Sequence, residues 1–264
     1  MLDWWSALFL GVVQGLTEFL PVSSSGHLIL ARDYLGILGG GDLAVDAVLQ
    51  LATALALIVY FWRDILRIAY TGLYLLTGKP TEAPERSLFI ALIVGTVPAI
   101  FVGLFVESYM ETIFRSSHLV AYALLVGSAI MLAAEYFGKK VEGTPITWVR
   151  GLVVGLFQCL ALVPGMSRSG MTIAGGMFTG LTRTDAARFG FLLAVPILLG
   201  SGLKKLFELE MAGGLSSAVA VGFAASFLSG LLAVHLLLII VRRTPLTVFV
   251  AYRVLLATAI LLLL

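Results

Sequence analysis

Near its start the chain has a long apolar run, residues 4–30, that is broken in its middle by Pro-Val-Ser-Ser-Ser-Gly at 21–26. Each arm is shorter than the ~20 apolar residues that a helix needs to cross a bilayer. A helical hairpin that enters and leaves on one side of a membrane is therefore favoured over two crossings. Composition agrees, since 60% of the residues are hydrophobic and 12% are charged, whereas soluble domains carry about 25% charge.

The other apolar runs predict an all-α polytopic membrane protein with one integral membrane domain over 1–264. A second broken run covers 151–181, and we expect a polar loop from Arg63 to Arg86. The six predicted transmembrane helices are 47–62, 88–106, 118–137, 186–203, 217–241 and 246–264. The mean hydropathy is +1.05. The net charge of +2 is small and dispersed, which argues against nucleic acid as a partner.

The two halves of the chain resemble each other. At an offset of 144, residues of the first broken run match the second: Gly11, Gln14, Leu16, Ser23, Ser25 and Gly26 fall on Gly155, Gln158, Leu160, Ser167, Ser169 and Gly170. At an offset of 130, VAYALLVGSAI from Val120 falls on VAYRVLLATAI from Val250. Each repeat, 1–138 and 148–264, holds one re-entrant hairpin and three spans. Three crossings leave the chain on the opposite side of the membrane, so the second repeat would be inserted upside down. We therefore expect an inverted-topology repeat whose broken helices meet near the midplane.

Basic residues are distributed unevenly over the two sides of this topology. One side receives eleven of them: Arg63, Arg67, Lys79, Arg86, Lys139, Lys140, Arg150, Arg183, Arg188, Arg242 and Arg243. The other side receives four: Arg32, Arg115, Lys204 and Lys205. Cytoplasmic loops are enriched in Lys and Arg. We therefore expect both termini and the opening of any site in the first hairpin on the outer side of the plasma membrane.

The first hairpin carries polar side chains that are costly at membrane depth. Gln14 and Glu18 are four residues apart and share one helix face. A charged side chain at the centre of a transmembrane helix costs at least ~2.5–3.5 kcal/mol, so Glu18 should face a cavity or a partner. Glu18 could hold a divalent cation with support from Gln14. The turn Ser23–Gly26 opens a short helix whose N–H groups and hydroxyls predict an anion site, and His27 stands beside it.

The second hairpin repeats this turn as Ser167–Gly170, with Arg168 at the position that Ser24 holds in the first. A guanidinium fork matches phosphate oxygens. The serines other than Ser24 also suit helix N-caps. We predict a phosphate site between the hairpins, formed by Ser23, Ser25, Gly26, Ser167, Ser169, Gly170, Thr172 and, on the next span, Gln50. Arg253 lies deeper in the last span than snorkelling explains, and we expect it to make interhelical hydrogen bonds.

Two anion sites, an arginine, a carboxylate and an imidazole in one cavity favour cleavage of a phosphate ester or anhydride at the membrane. Arg168 would offset charge on the phosphoryl group, and His27 would act as nucleophile or general acid/base. The main alternative is a lipid transporter or flippase, because transporters commonly use inverted repeats with broken helices. A non-catalytic scaffold is the weakest reading, because it leaves the cost of the buried polar groups unexplained.

At these residues the chain resembles the undecaprenyl-diphosphate phosphatase family, the bacitracin-resistance family. The family pattern Glu/Gln-x-x-x-Glu is present as Gln14–Glu18, followed by PVSSSGH, and Pro-Gly-x-Ser-Arg-Ser-x-x-Thr is present as Pro164–Thr172. The resemblance implies hydrolysis of a polyprenyl diphosphate to the monophosphate, which recycles the lipid carrier for cell-wall glycans. It implies essential roles for Glu18, Ser24, His27 and Arg168, and it leaves the nucleophile open between His27 and Ser24.

The resemblance also implies a divalent-cation cofactor, Mg²⁺ or Ca²⁺, which we expect at Glu18 and Gln14. Gln14 stands where the family often has Glu, so weaker metal binding is expected. The implied partners are the polyprenyl diphosphate, membrane lipids and, indirectly, bacitracin, which would act by sequestering the substrate. The oligomeric state stays open between a monomer and a homodimer.

Overall fold

The computed structural model describes residues 2–35, 42–112, 116–138, 141–211, 214 and 216–263, and within these ranges it contains helices and turns but no strand. The helices are α1 (Trp4–Phe19), α2 (Ser24–Leu35), α3 (Asp42–Tyr60), α4 (Trp62–Leu76), α5 (Ala83–Thr112), α6 (Ser117–Phe137), α7 (Trp148–Leu160), α8 (Arg168–Phe178), α9 (Arg183–Met211), α10 (Ser217–Arg243) and α11 (Thr247–Leu263). The predicted all-α class is confirmed. Of the basic residues assigned to sides above, Arg115, Lys139 and Lys140 lie outside the described residues.

Four helices, α5, α6, α9 and α10, are long and apolar enough to cross a membrane. The pair α3 and α4 would give a fifth span, but the two helices meet at a bend of 84°. The last predicted span corresponds to α11, which is apolar but has only 17 residues. The chain is an integral membrane protein, and by length and composition its described residues contain four or five candidate spans.

The loop predicted from Arg63 to Arg86 is wrong over most of its length, because Trp62–Leu76 forms α4. This helix buries Thr71 and Gly72 and leaves arginines, tyrosines and leucines exposed. Its polar residues follow a helical period instead of forming a continuous polar segment. A search for uninterrupted apolar runs does not detect such a helix, which is the physical reason for the error.

Both predicted breaks are present, at residues 20–23 between α1 and α2 and at 161–167 between α7 and α8. Ser23 and Ser167 directly precede the second helix of each pair and have φ values of +76° and +75°. Side chains other than glycine rarely adopt this left-handed region. Each serine hydroxyl accepts a hydrogen bond from the backbone N–H three residues later, at 3.4 and 3.2 Å, and so caps its helix.

Close helix packing fixes the first arm of each hairpin. Helix α1 packs along α10, and α7 packs along α5. A Cβ added at Gly11 would lie 2.2 Å from the carbonyl oxygen of Gly222, and one added at Gly155 would lie 2.2 Å from that of Gly95. Membrane helices associate by such backbone approaches at small residues. The two glycines therefore hold the helices that lead into the two breaks.

Candidate active site

A cavity of about 490 Å³ lies where the two hairpin breaks meet. Its polar end is lined by side chains from both halves of the chain. The predicted site residues that line it are Glu18, Ser23, Ser24, Ser25, Gln50, Ser167 and Arg168. The structure thus brings together most of the predicted site, and neither hairpin forms it alone.

Glu18 is the central residue of this polar end, and only 4% of its side chain is exposed. Its Oε2 accepts a hydrogen bond from the Ser24 hydroxyl at 2.6 Å and another from the Gln14 amide at 2.9 Å. Its Oε1 lies 3.5 Å from Nη1 of Arg168. The 2.6 Å hydrogen bond from the Ser24 hydroxyl to the carboxylate has the length of a strong, charge-assisted bond. One carboxylate therefore holds the Ser24 hydroxyl and the Arg168 guanidinium beside each other.

Two polar atoms next to Glu18 are buried and have no hydrogen-bond partner within the described part of the chain. They are Nη1 of Arg168, which forms the 3.5 Å ion pair with Glu18 but no hydrogen bond, and Oε1 of Gln14. An unsatisfied buried polar group costs about 1–3 kcal/mol, and more when it is charged. Arg168 lines the cavity, so an anionic ligand oxygen there would supply the missing acceptor. Gln14 offers an oxygen that could ligate a cation.

His27 lies on the first turn of α2 but is not among the residues that line the cavity. Its Nδ1 is 2.7 Å from the carbonyl oxygen of Ser23, and because a carbonyl only accepts, Nδ1 carries the proton. In the neutral imidazole Nε2 then accepts from the Tyr252 hydroxyl at 2.7 Å, and the two rings stack. Both ring nitrogens are engaged, and the catalytic role of His27 stays a prediction.

The structure places four other predicted phosphate ligands outside the cavity lining: Gly26, Ser169, Gly170 and Thr172. The Ser169 hydroxyl donates to the carbonyl oxygen of Leu20 at 3.0 Å, across the two hairpins. The Thr172 hydroxyl donates to the Arg168 carbonyl at 2.9 Å. A Cβ on either glycine would lie 2.9 Å from a side chain of α6. In this structure the four residues serve packing and hairpin docking, and phosphate binding by them stays a prediction.

Arg253 of α11 is fully buried, with an exposed fraction of 0%, and it joins the two breaks. Its guanidinium donates to the carbonyl oxygens of Pro21 at 3.3 Å and Gly165 at 2.9 Å. These two residues are equivalent at the offset of 144. The same group also donates to the Leu124 carbonyl at 3.1 Å and the Ser128 hydroxyl at 3.0 Å, both on α6. The predicted interhelical hydrogen bonds of Arg253 are confirmed, and they reach both halves of the site.

Sequence reasoning missed two groups near the cavity. Tyr252 contacts His27. The sequence feature that could have drawn attention to Tyr252 is its place beside Arg253 in the repeated Val-Ala-Tyr segment. The cavity is also lined by Asp46, Lys204 and Lys205, and the sequence had indicated only a topological role for the two lysines. Asp46 also pairs with Arg32. The cavity lining therefore carries charged groups besides those of the two breaks.

Comparison with known proteins identifies the family of the chain. The sequence model described as bacitracin resistance protein BacA matches residues 7–259. The undecaprenyl-diphosphatase of Mycobacterium sp. (strain KMS) is 43% identical over 270 residues, which cover 100% of this chain and 97% of the relative. The undecaprenyl-diphosphatase of Arthrobacter sp. (strain FB24) is 39% identical over 269 residues, which cover 99% and 94%.

A third relative is the undecaprenyl-diphosphatase of Renibacterium salmoninarum, 45% identical over 212 residues that cover 79% of this chain and 75% of the relative. The matched region of the family contains both hairpin breaks and Arg253. The chain belongs to the bacitracin resistance protein BacA family.

Proposed function

We propose that the chain is an integral membrane phosphatase that hydrolyses undecaprenyl diphosphate to undecaprenyl phosphate and inorganic phosphate. The observation that carries the proposal is the Ser24 hydroxyl donating to Glu18 beside Arg168, in a cavity at the meeting point of two broken helices. The names of the relatives support the lipid substrate. The product recycles the lipid carrier of cell-wall synthesis, and the family name agrees with bacitracin resistance.

In the first step Ser24 attacks the terminal phosphorus. The Oγ–P bond forms, Oε2 of Glu18 takes the hydroxyl proton, and the bond from phosphorus to the bridging oxygen breaks. Undecaprenyl phosphate leaves with the bridging oxygen and its electron pair. The guanidinium of Arg168 donates to the phosphoryl oxygens as negative charge builds on them. The geometry favours Ser24 over His27 as nucleophile, because Ser24 lines the cavity with a base at 2.6 Å.

In the second step water hydrolyses the phosphoserine. A water in the cavity attacks phosphorus and loses one proton to the surrounding water, and the Ser24–P bond breaks to release inorganic phosphate. The Ser24 oxygen recovers a proton from Glu18, which restores the starting state. His27 holds the Ser23 carbonyl, one residue from the nucleophile. We assign it the role of positioning this turn, with proton transfer as the alternative.

The oxygen donors next to Ser24 fit Mg²⁺ or Ca²⁺, which prefer carboxylate and amide oxygens. The candidates are Glu18 and Oε1 of Gln14, a buried atom without a partner. No cluster of three or more His, Cys, Asp or Glu is present among the described residues. The ion would therefore take its other ligands from water and from the substrate. Bound there, it would supply positive charge for the diphosphate.

We expect Gln14→Glu to tighten Mg²⁺ or Ca²⁺ binding about tenfold, because a second carboxylate replaces a neutral amide. The measurement is isothermal titration with each metal, together with the metal concentration that gives half-maximal phosphate release. The matched control is Gln158→Glu, because Gln158 is equivalent to Gln14 in the second repeat. The residue equivalent to Glu18 is Leu162, so this variant does not create a pair of carboxylates. Equal metal affinities in wild type and Gln14→Glu would contradict the assigned ligands.

An inverted repeat of six spans and two re-entrant hairpins fits the packing. Helix α1 lies along α10 as α7 lies along α5, and α6 pairs with its counterpart α11. The serines at positive φ, Ser23 and Ser167, are also equivalent at the offset of 144. In this proposal α3 and α11 join α5, α6, α9 and α10 to make six spans. The two repeats are 1–138 and 148–264.

Contacts between helix ends support the proposed sidedness. Arg188 pairs with Asp64 at 3.1 Å, and the proposal places both on the cytoplasmic side. The Ser117 hydroxyl donates to Asp33 at 2.6 Å, and the proposal places both outside. Lys204, which lines the cavity, is among the residues that the proposal places outside. The active site would therefore open to the outer surface of the plasma membrane, where both termini lie.

The alternative of a lipid flippase finds no support in the names of the relatives quoted above, which are those of a diphosphatase. The geometry also favours hydrolysis, because a carrier needs an anion site but no hydroxyl hydrogen-bonded to a buried carboxylate.

The proposed function is tested by purifying the protein in detergent and measuring phosphate release from undecaprenyl diphosphate with Mg²⁺ or Ca²⁺. We expect Arg168→Ala to lower kcat/KM about 10³-fold and Arg168→Lys roughly 10- to 100-fold, because lysine keeps the charge but not the fork. Arg188→Lys, at a surface ion pair, should match wild type. A wild type that releases no phosphate would refute the proposed function, and undiminished Arg168→Ala would refute the assigned site.

A further inference from the structure

One wall of the cavity is apolar and faces outward. It is built by α5 and α9, through Ala99, Ile100, Gly103, Leu104, Pro196, Ile197, Gly200 and Ser201. Ile100 and Leu104 line the cavity and yet are 47% and 67% exposed. Protein therefore does not close the cavity on this side. In a membrane these side chains would meet lipid.

Two glycines mark empty space in this wall. A Cβ added at Gly103 of α5 or Gly200 of α9 would meet no other atom within 4 Å. On the same two helices, a Cβ at Gly95 would lie 2.6 Å from a backbone oxygen, and one at Gly202 would lie 2.7 Å from Leu51. The latter glycines allow helices to touch, whereas Gly103 and Gly200 leave room that no side chain fills.

The cavity lining offers two kinds of surface to the hydrocarbon chain of the diphosphate. One is charged, with Asp46, Lys204 and Lys205, and desolvating charged groups against hydrocarbon is unfavourable. The other is the apolar wall formed by α5 and α9, which lines the same cavity as Ser24 and Arg168. Only the apolar surface suits a chain of isoprene units.

We infer that the wall between α5 and α9 is a prenyl cleft, which binds the isoprene units next to the diphosphate. The inference rests on the proposed function. A cavity of about 490 Å³ is of the size that holds a drug-sized ligand. A fifty-five-carbon chain does not fit inside it, so the cleft holds the first units and the rest of the chain lies among the lipids.

Filling the cleft tests the inference without disturbing the fold, since new side chains at Gly103 and Gly200 meet no protein atom at their Cβ. We expect Gly103→Leu and Gly200→Leu to raise KM for undecaprenyl diphosphate at least about tenfold. Hydrolysis of methyl diphosphate, which has no isoprene unit, should stay within about twofold of wild type. Val102→Trp adds bulk to an exposed position of α5 outside the cavity lining and should change neither value.

Wild-type KM for undecaprenyl diphosphate in both leucine variants would overturn the prenyl cleft while the proposed function stands. An equal loss with both substrates would also overturn it, because the substitutions would then act on the phosphate site. A binding experiment tests the cleft even if the protein does not hydrolyse the substrate, so it distinguishes an error in the proposed function from an error in the proposed cleft. A prenyl diphosphate with a diazirine on its first isoprene unit should label residues 99–104 and 196–201 on irradiation, with or without hydrolysis. Label confined to other helices would refute the cleft.

Discussion

Ser24→Ala is expected to lower the rate of phosphate release from undecaprenyl diphosphate by at least about 10³-fold, with little change in thermal stability. The Ser24 hydroxyl lines the cavity and donates to Glu18 at 2.6 Å. The substitution removes the attacking oxygen and leaves the carboxylate with Gln14 and Arg168 as neighbours. Steady-state phosphate release and a thermal unfolding scan measure the two effects.

Ser229→Ala is the matched control for this loss. Ser229 lies outside the cavity lining, and its hydroxyl donates to the carbonyl oxygen of Ala225 in its own helix at 2.7 Å. We expect its removal to leave kcat near wild type.

Trapping the phosphorylated enzyme identifies the nucleophile directly. Substrate labelled on its terminal phosphate, followed by rapid acid quenching, should leave an acid-stable label on the peptide that contains Ser24. Phosphohistidine is acid-labile and phosphoserine is not, so the stability of the label distinguishes Ser24 from His27. A label on His27, or full activity in Ser24→Ala, would overturn the mechanism proposed above.

Arg253→Met is expected to lower both stability and activity, although Arg253 does not line the cavity. The substitution keeps a long apolar side chain but removes the hydrogen bonds to Pro21, Gly165, Leu124 and Ser128. Leaving these buried acceptors unpaired should cost about 3 kcal/mol in total. For a chain of this size such a loss lowers the melting temperature by roughly 6–12 °C.

Activity should fall more than stability accounts for, because Arg253 ties together the breaks that carry Ser24 and Arg168. We expect kcat of Arg253→Met to fall about 100-fold at a temperature where the protein remains folded. Arg253→Lys should restore stability only in part, because an ammonium cannot reproduce the planar fork. Arg243→Met, at an exposed position on α10, is the control. A wild-type kcat in folded Arg253→Met would show that the hydrogen bonds of Arg253 have no influence on the reaction.

The sequence allowed the two hairpin breaks to be predicted, because proline, glycine and serine interrupt apolar runs at equivalent positions. It also identified Glu18 and Arg168, since charged groups in an apolar run need a partner or a cavity. Helix α4 was missed because its arginines and tyrosines are spaced with a helical period instead of being absent. The breaks, the two charged residues and α4 are all encoded in local sequence. The first two were predicted because their local patterns are distinct, and α4 was missed because its pattern is not.

The orientation of His27 could not be predicted from its neighbours. Whether its imidazole faces the cavity or Tyr252 depends on the rotation of α2 and on a helix 225 residues away. The prenyl cleft was equally hidden, because Gly103 and Gly200 look like any other small residues of membrane helices. Only the packing shows that Gly95 and Gly202 touch other helices whereas Gly103 and Gly200 do not.

The position of Arg253 has a consequence for how the enzyme is made. Helix α11 follows both hairpins along the chain, and its arginine donates to a carbonyl oxygen in each break. A polypeptide still emerging from the ribosome can insert both hairpins, but it lacks this arginine until α11 has been made. Hydrolysis at the full rate would therefore begin only after translation has delivered α11 into the membrane, and chains that end before α11 would be far less active.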